Sequence, residues 1–459
     1  MFGIVFRHFY PDIKPEEYKK FSLLGIAFFF TVGTYWLLRL LKDVVMYKFA
    51  FPVAVGWPMG YGREMIPFVK TISPFVVVAG VAIYSKLVDM FEKHQLFYVI
   101  VSTFIAMFSV FSGIFFLAST FGPEFVGKWP LAIAGVTTYL STELFGSLVL
   151  AALFWSFTTS SNTSDQAKRG FPFIIMLGQV GAIIGSSLLL VKGLPLWPLY
   201  LVSVCTMAGI MATIYRLVAT VPAAELSSGT VEKKSKPDIA AGLKLLLTKP
   251  YLMGVFVVST FYEVAKVIVD YQMKSQASII DGMDFNWFIG VFGVCTNTLS
   301  FVMALLGTAM LMKRYGLRVC LLLYPVVFGL SLIGLYFYFQ SGPDPVNLLW
   351  VTFAVMMLVT AASYAVNNPT KEMMYIPTSK DAKFKAKGLV DMVGGRGAKM
   401  TGARIGGALN VAGQPALSIV NLMTFGTLIS LGFIGAWMLV AMYVGIKNAQ
   451  LVRDKKIIE

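Results

Sequence analysis

Fifteen charged residues sit inside runs of sequence that are otherwise apolar. Nine are basic: Arg39, Lys42, Lys70, Lys266, Lys274, Lys371, Arg396, Lys399 and Arg404. Six are acidic: Asp43, Glu143, Glu263, Asp270, Glu372 and Asp391. If the runs cross a bilayer, each charge near its centre costs roughly 2.5–3.5 kcal/mol on insertion scales. Keeping so many implies a water-filled cavity and a use for it. The excess of three positive charges points to an anionic ligand. Lysine offers phosphate a point charge and arginine a planar fork.

Spacing groups these charges on helical faces. Arg39, Lys42 and Asp43 lie three and four residues apart, so one helix would present them together. Glu263, Lys266, Asp270 and Lys274 step by three, four and four along a second face. Lys387, Asp391 and Lys399 mark a third. Some of these charges have structural explanations: Asp43 can pair with Lys42 or Arg39, Asp391 can pair with Lys387, and Arg404 can snorkel from a span end. Lys371, Glu372 and Lys274 can lie at a membrane edge. Lys70, Glu143, Asp270 and Lys399 have no such excuse. Lys70 and Lys399 are expected to be buried cations without a local acid. Tyr35, Trp36, Trp155 and Tyr364 could stack on a base, although packing is the ordinary role of aromatics in a chain where they make up 14%.

Several chemistries are not indicated. The only histidines, His8 and His94, lie near span ends, so no histidine relay is expected in the membrane core. Cys205, Cys295 and Cys320 show no paired spacing, so neither a disulfide framework nor a zinc site is expected. Gly394–Thr401 lacks the Gly-x4-Gly-Lys-Ser/Thr spacing and the preceding strand of a phosphate-binding loop. No His-Glu-x-x-His or Gly-x-Ser-x-Gly motif is present, and neither a catalytic residue, a metal nor a cofactor is proposed. The chain is not expected to be an enzyme. A bound nucleotide would be cargo and not fuel.

The elements that must position these charges are membrane helices. Of 459 residues, 57% are hydrophobic and only 13% charged, about half the charge of an average soluble domain. A span needs about twenty apolar residues. Spans are predicted at 21–47, 65–85, 96–119, 131–158, 171–191, 197–218, 250–275, 285–312, 317–340, 347–371, 386–411 and 416–446. The Gly- and charge-rich 386–411 is the weakest. Between spans, basic residues fall 25 on one side and 4 on the other. By the positive-inside rule that split puts both termini in the cytoplasm, and it accounts for a net charge of +15 without nucleic-acid binding.

The polar stretch 219–249, with Pro222, Ser227, Ser228, Gly229 and a basic run to Lys236, reads as a cytoplasmic linker. It separates six-helix halves at 21–218 and 250–446, flanked by cytoplasmic segments 1–20 and 447–459. Segment 1–20 does not read as a cleavable signal peptide. Each half carries a glycine patch after a basic loop: Gly178, Gly181 and Ala182 in one, Gly394, Gly395, Gly397 and Ala398 in the other. Such patches can simply let helices pack. Their matched placement suggests parallel repeats, hence an all-α, major-facilitator-like fold with a site between the halves near mid-membrane.

Six segments carry a family resemblance: LLRLLKDVV (37–45), EMIPFVK (64–70), TELFGSLVLAALFW (142–155), VIVDYQMKSQ (267–276), PTKEMMYIP (369–377) and KAKGLVDMVGGRGAK (385–399). From about residue 21 to 445 the chain resembles the ATP/ADP translocases of plastids and intracellular bacteria. The resemblance implies nucleotide transport by alternating access, typically as counter-exchange. The family's important intramembrane charges match Lys70, Glu143, Asp270 and Lys399. Departures fall at Asp270, where the family usually has Glu, at Met273, where it has Trp, and at 156–159, where Ser-Phe-Thr-Thr replaces Gly-Phe-Ala-Asn. They leave NAD, other nucleotides and proton-coupled uptake open.

The expected reading is a nucleotide transporter in a lipid bilayer, monomeric, in a bacterial inner membrane. Lys70, Lys399, Arg39, Arg396 and Lys274 are the candidate phosphate ligands. Glu143 and Asp270 are candidates for gating, base contacts or coupling; Lys42, Asp43, Lys266 and Asp391 for gating or structural ion pairs. The rivals are another organic-anion transporter, a membrane-embedded enzyme, for which only Asp281 and Asp284 approach an acidic interfacial cluster, and a non-transporting membrane protein, which gives no reason for nine intramembrane cations.

Overall fold

A computed structural model describes residues 13–226 and 239–458. Residues 1–12 of the expected N-terminal segment and 227–238 of the expected linker lie outside the described residues. Among the described residues, eleven helices are long and apolar enough to cross a membrane. They are α1 (Pro15–Phe49), α2 (Tyr61–Met90), α3 (Lys93–Phe121), α4 (Lys128–Ser160), α5 (Asp165–Leu190), α6 (Leu196–Thr220), α7 (Pro250–Ile279), α8 (Phe285–Leu305), α9 (Tyr315–Gln340), α10 (Pro345–Met373) and α12 (Pro415–Arg453). The segment expected to span at 386–411 is also helical. We call it α11, the consecutive turns Lys380–Leu389, Val390–Gly394 and Gly395–Ala408. Its glycines and charges keep it below the apolarity of the others. Helices α8 and α9 run on as one helical stretch, Phe285–Gln340. Gly316 within it takes φ 73°, a left-handed conformation open to glycine and not part of a regular helix.

The chain forms two compact units. The first comprises the described residues of Met1–Gly62, Phe75–Lys233 and Asp284–Val294; the second, those of Arg63–Pro74, Lys234–Met283 and Cys295–Glu459. The early turns of α2 thus belong to the second unit, which brings Lys70 there.

One helix organises each unit. In the first, α1 packs on α4, α5 and α6. In the second, α7 packs on α10, α11 and α12. The apolar windows of α1, α7 and α10 are 61%, 72% and 67% buried, against 28% for α2. The intramembrane charges therefore lie largely on the helices that face protein, as expected where lipid will not accept charge.

The glycine patches let helix backbones approach. A Cβ at Gly33 of α1 would lie 3.0 Å from the Gly181 carbonyl oxygen of α5. In the second unit a Cβ at Gly402 of α11 would lie 2.7 Å from the Val264 carbonyl oxygen of α7, and one at Gly394 would meet Phe256 and Thr260. Both patches pack helices, the small-residue role familiar from membrane interfaces. Val264, Ile268 and Ala398 form the apolar contact of α7 with α11.

Wide, π-type turns interrupt four of the charge-bearing helices: Val45–Phe49 just after Lys42 and Asp43, Gly146–Phe154 just after Glu143, Ser363–Asn367 before Lys371, and Val390–Gly394 before Arg396. Such turns re-aim the side chains around them and recur at functional sites.

Candidate functional site

In the first unit the centre is an ion pair between helices. The Lys42 ammonium of α1 donates to Glu143 Oε1 of α4. Lys42 is buried, and its Nζ lies 4.1 Å from the centroid of the Tyr139 ring, one helical turn before Glu143. Glu143 keeps 31% of its side chain exposed. The pairing expected between Lys42 and Asp43 gives way to this one because neighbours in sequence point about 100° apart on a helix. Asp43 is itself buried. The Arg39 guanidinium carbon sits 4.7 Å from the Trp36 ring centroid, a cation–π contact along one face. Tyr35 packs on Gly146, and Trp155 joins Phe28, Phe154 and Phe171 in an aromatic cluster. Trp155 and Tyr35 thus serve packing in this arrangement.

In the second unit one carboxylate holds two lysines. Lys274 Nζ lies 2.7 Å from Asp270 Oδ1, one turn along α7. Lys70 Nζ of α2 lies 3.5 Å from Asp270 Oδ2. All three side chains are less than one fifth exposed. Two ammonium groups and one carboxylate give these three side chains a formal charge of +1. Lys70 therefore does have an acid beside it, but one 200 residues away. The close seat of α11 on the start of α2, where a Cβ at Gly407 would lie 2.7 Å from Pro67, helps fix α2 there.

A second charged cluster lies two turns back along α7. Glu263 accepts from the Tyr262 hydroxyl at 2.7 Å, and that hydroxyl accepts from Lys371 Nζ of α10 at 3.0 Å. Lys399, Lys266 and Lys371 all act on Glu263 electrostatically. Lys266 also lies 5.3 Å from the Tyr364 ring centroid. The face expected from the 263, 266, 270, 274 spacing is thus divided between two centres. Glu263, Lys371 and Tyr262 are absent from the candidates drawn from sequence. The three- and four-residue step pointed to Glu263, and Lys371 and Lys399 stood out as intramembrane cations, but nothing in the sequence joined them to Glu263.

Two expectations on α11 change. Lys399 is exposed, not buried. Ala398 and Gly402 occupy the face against α7, and Lys399 is turned about 100° from Ala398. Lys387 makes its contact ion pair with Glu372 of α10 at 2.5 Å and acts on Asp391, which is exposed, only through its charge. Arg396 is half-buried.

Long buried helices carrying paired and excess cations define a polytopic membrane transporter for an anion. A variant of the nucleoside transporter NupG superposes with a TM-score of 0.64 at 16% identity, covering 92% of this chain and 99% of that one. The likeness shows the major-facilitator-like fold and not the cargo. A family model described as TLC ATP/ADP transporter matches residues 2–447, and the chain belongs to that family of membrane nucleotide transporters. Among its relatives, the chloroplastic ADP,ATP carrier protein 2 of Arabidopsis thaliana is 27% identical over 92% of this chain and 74% of its own length. ADP,ATP carrier protein 1 of Chlamydia trachomatis is 28% identical over 87% and 83%.

Proposed function

We propose that this chain exchanges adenine nucleotides, ATP against ADP, across its membrane by alternating access. The observation that carries the reading is the Asp270 triad, where Lys70 and Lys274 share one carboxylate. A polyphosphate can take over either ammonium without stranding the other, because Asp270 keeps one partner. Lys70 and Lys274 act as phosphate ligands, with Arg396 and Lys399 of the same unit adding positive charge; Arg39 is the candidate phosphate ligand of the first unit. Glu143 and Asp270 hold the lysines in place when no nucleotide is bound.

Exchange follows from that charge balance. Enclosing surplus cations without an anion is costly, so the unloaded carrier turns slowly. Nucleotide neutralises them and shifts the conformational equilibrium by its differential affinity for the two states. The boundaries 21–218 and 250–446, a monomeric carrier, a bacterial inner membrane and cytoplasmic termini complete the proposal. The 25-to-4 split of basic residues supports that orientation. Reporter fusions at residues 1 and 459 should both give cytoplasmic signals; an extracytoplasmic signal at either would reject it. Asp270 and Met273 stand where the resembling family has Glu and Trp, which favours NAD or another nucleotide as the second reading.

Labelled ATP uptake by cells expressing the protein decides the substrate. Unlabelled ATP and ADP should suppress it strongly, and NAD or a non-nucleotide organic anion should not. Absence of labelled ATP uptake, with labelled NAD taken up in its place, would replace the ATP/ADP reading.

A further inference from the structure

Arg63 is buried to 2% exposure in the first turn of α2. A guanidinium stays charged at any pH a protein survives and offers five N–H donors. Here Nε, Nη1 and Nη2 are all buried and hydrogen-bond to no atom of the described residues. The nearest opposite charge is Glu64 Oε1, 3.7 Å from Nη2, beyond hydrogen-bond range. The residue's backbone is firmly held: the Tyr271 hydroxyl donates to its carbonyl at 3.1 Å, and Asn410 Nδ2 donates to that hydroxyl at 2.7 Å. The positive end of the α2 dipole adds to the local charge. A fixed, enclosed and unsatisfied cation calls for an anionic ligand.

We propose that Arg63, held by Tyr271 and Asn410 in the second unit, is the core of a buried site for a small monovalent anion of the chloride class. Charge sets the valence. One guanidinium, partly offset by Glu64, balances a single negative charge, whereas a phosphate dianion needs a second cation. The site is distinct from the Asp270 triad. Lys70 lies seven residues further along α2, about 10 Å along the axis. Tyr271 is the residue next to Asp270, so an anion at Arg63 steadies the helix that carries the triad. This inference does not depend on which nucleotide is carried.

The test uses purified full-length protein in detergent, with ionic strength held constant by sodium gluconate while chloride replaces it. Its unfolding temperature should climb and then saturate as chloride rises, and Arg63→Met should give a flat trace. A flat trace for the unmodified protein overturns the proposal, as does a saturating rise retained in Arg63→Met. If ADP abolishes the chloride effect, Arg63 belongs to the nucleotide site and the separate site is overturned. Should the variant fail to fold, anomalous scattering from crystals grown in bromide decides. A peak beside the Arg63 guanidinium is expected, and its absence rejects the site.

Discussion

The two units handle a buried lysine in different ways. In the first, a single buried lysine, Lys42, is held by Glu143 of a neighbouring helix, with Tyr139 beneath the ammonium. In the second, Asp270 is shared by Lys70 and Lys274, so the three side chains together carry a formal charge of +1. A closed pair and a cation-rich triad respond differently to an anion. The pair gives up its ammonium only by leaving a carboxylate behind, whereas the triad, on releasing one lysine, becomes a neutral pair. The first suits a device that locks, and the second a device that binds. Paired buried charges are costly when one partner is removed and cheap when both are replaced by apolar groups, so the difference is open to mutation.

The largest effect is expected at the closed pair. Glu143→Gln strands buried Lys42 and should cost about 3 kcal/mol of stability, read by unfolding in detergent. Lys42→Met combined with Glu143→Met should recover most of that loss. A double variant no more stable than the single would show that the pair does not act as a unit. Next comes Lys70→Ala, which removes a charged hydrogen bond to phosphate worth about 1.5–3 kcal/mol, or roughly ten- to a hundred-fold in nucleotide affinity, with folded protein still in the membrane. Unchanged nucleotide affinity would take Lys70 out of the site. Smaller still, Lys274→Met should lower stability by only about 1 kcal/mol, because Asp270 retains Lys70. A loss as large as that of Glu143→Gln would erase the contrast between the units. Lys399→Ala, at an exposed position, should move stability by no more than about 0.5 kcal/mol while reducing uptake. If uptake is also unchanged, Lys399 leaves the candidate site.

Much of the helical architecture was legible because a bilayer imposes a strong pattern, and long apolar runs with charged loops leave little ambiguity. The Gly- and charge-rich α11 was readable only by alternation of the basic loops, since its composition does not mark a span. The charged side chains stood out for the same reason that makes them costly. Their partners did not. Helical periodicity joined Asp270 to Lys274, four residues on, but it could not join Asp270 to Lys70 or Lys42 to Glu143, which meet only through helix packing. Lys399 shows the opposite failure: its charge marked it, but which way α11 turned depended on Ala398 and Gly402 packing against α7. Arg63 carried no signal in the sequence, because a single basic residue at a span end is ordinary until its burial is known. The π-type turns beside the charged positions had no sequence signature at all.

Surplus positive charge should make the loaded carrier turn faster than the empty one. Labelled ATP uptake into proteoliposomes tests it most directly, comparing empty vesicles with vesicles preloaded with ADP, each with and without an imposed proton gradient. Rapid uptake is expected only into preloaded vesicles, indifferent to the gradient. Strong uptake into empty vesicles that rises with the gradient and collapses with a protonophore would contradict it and establish proton symport.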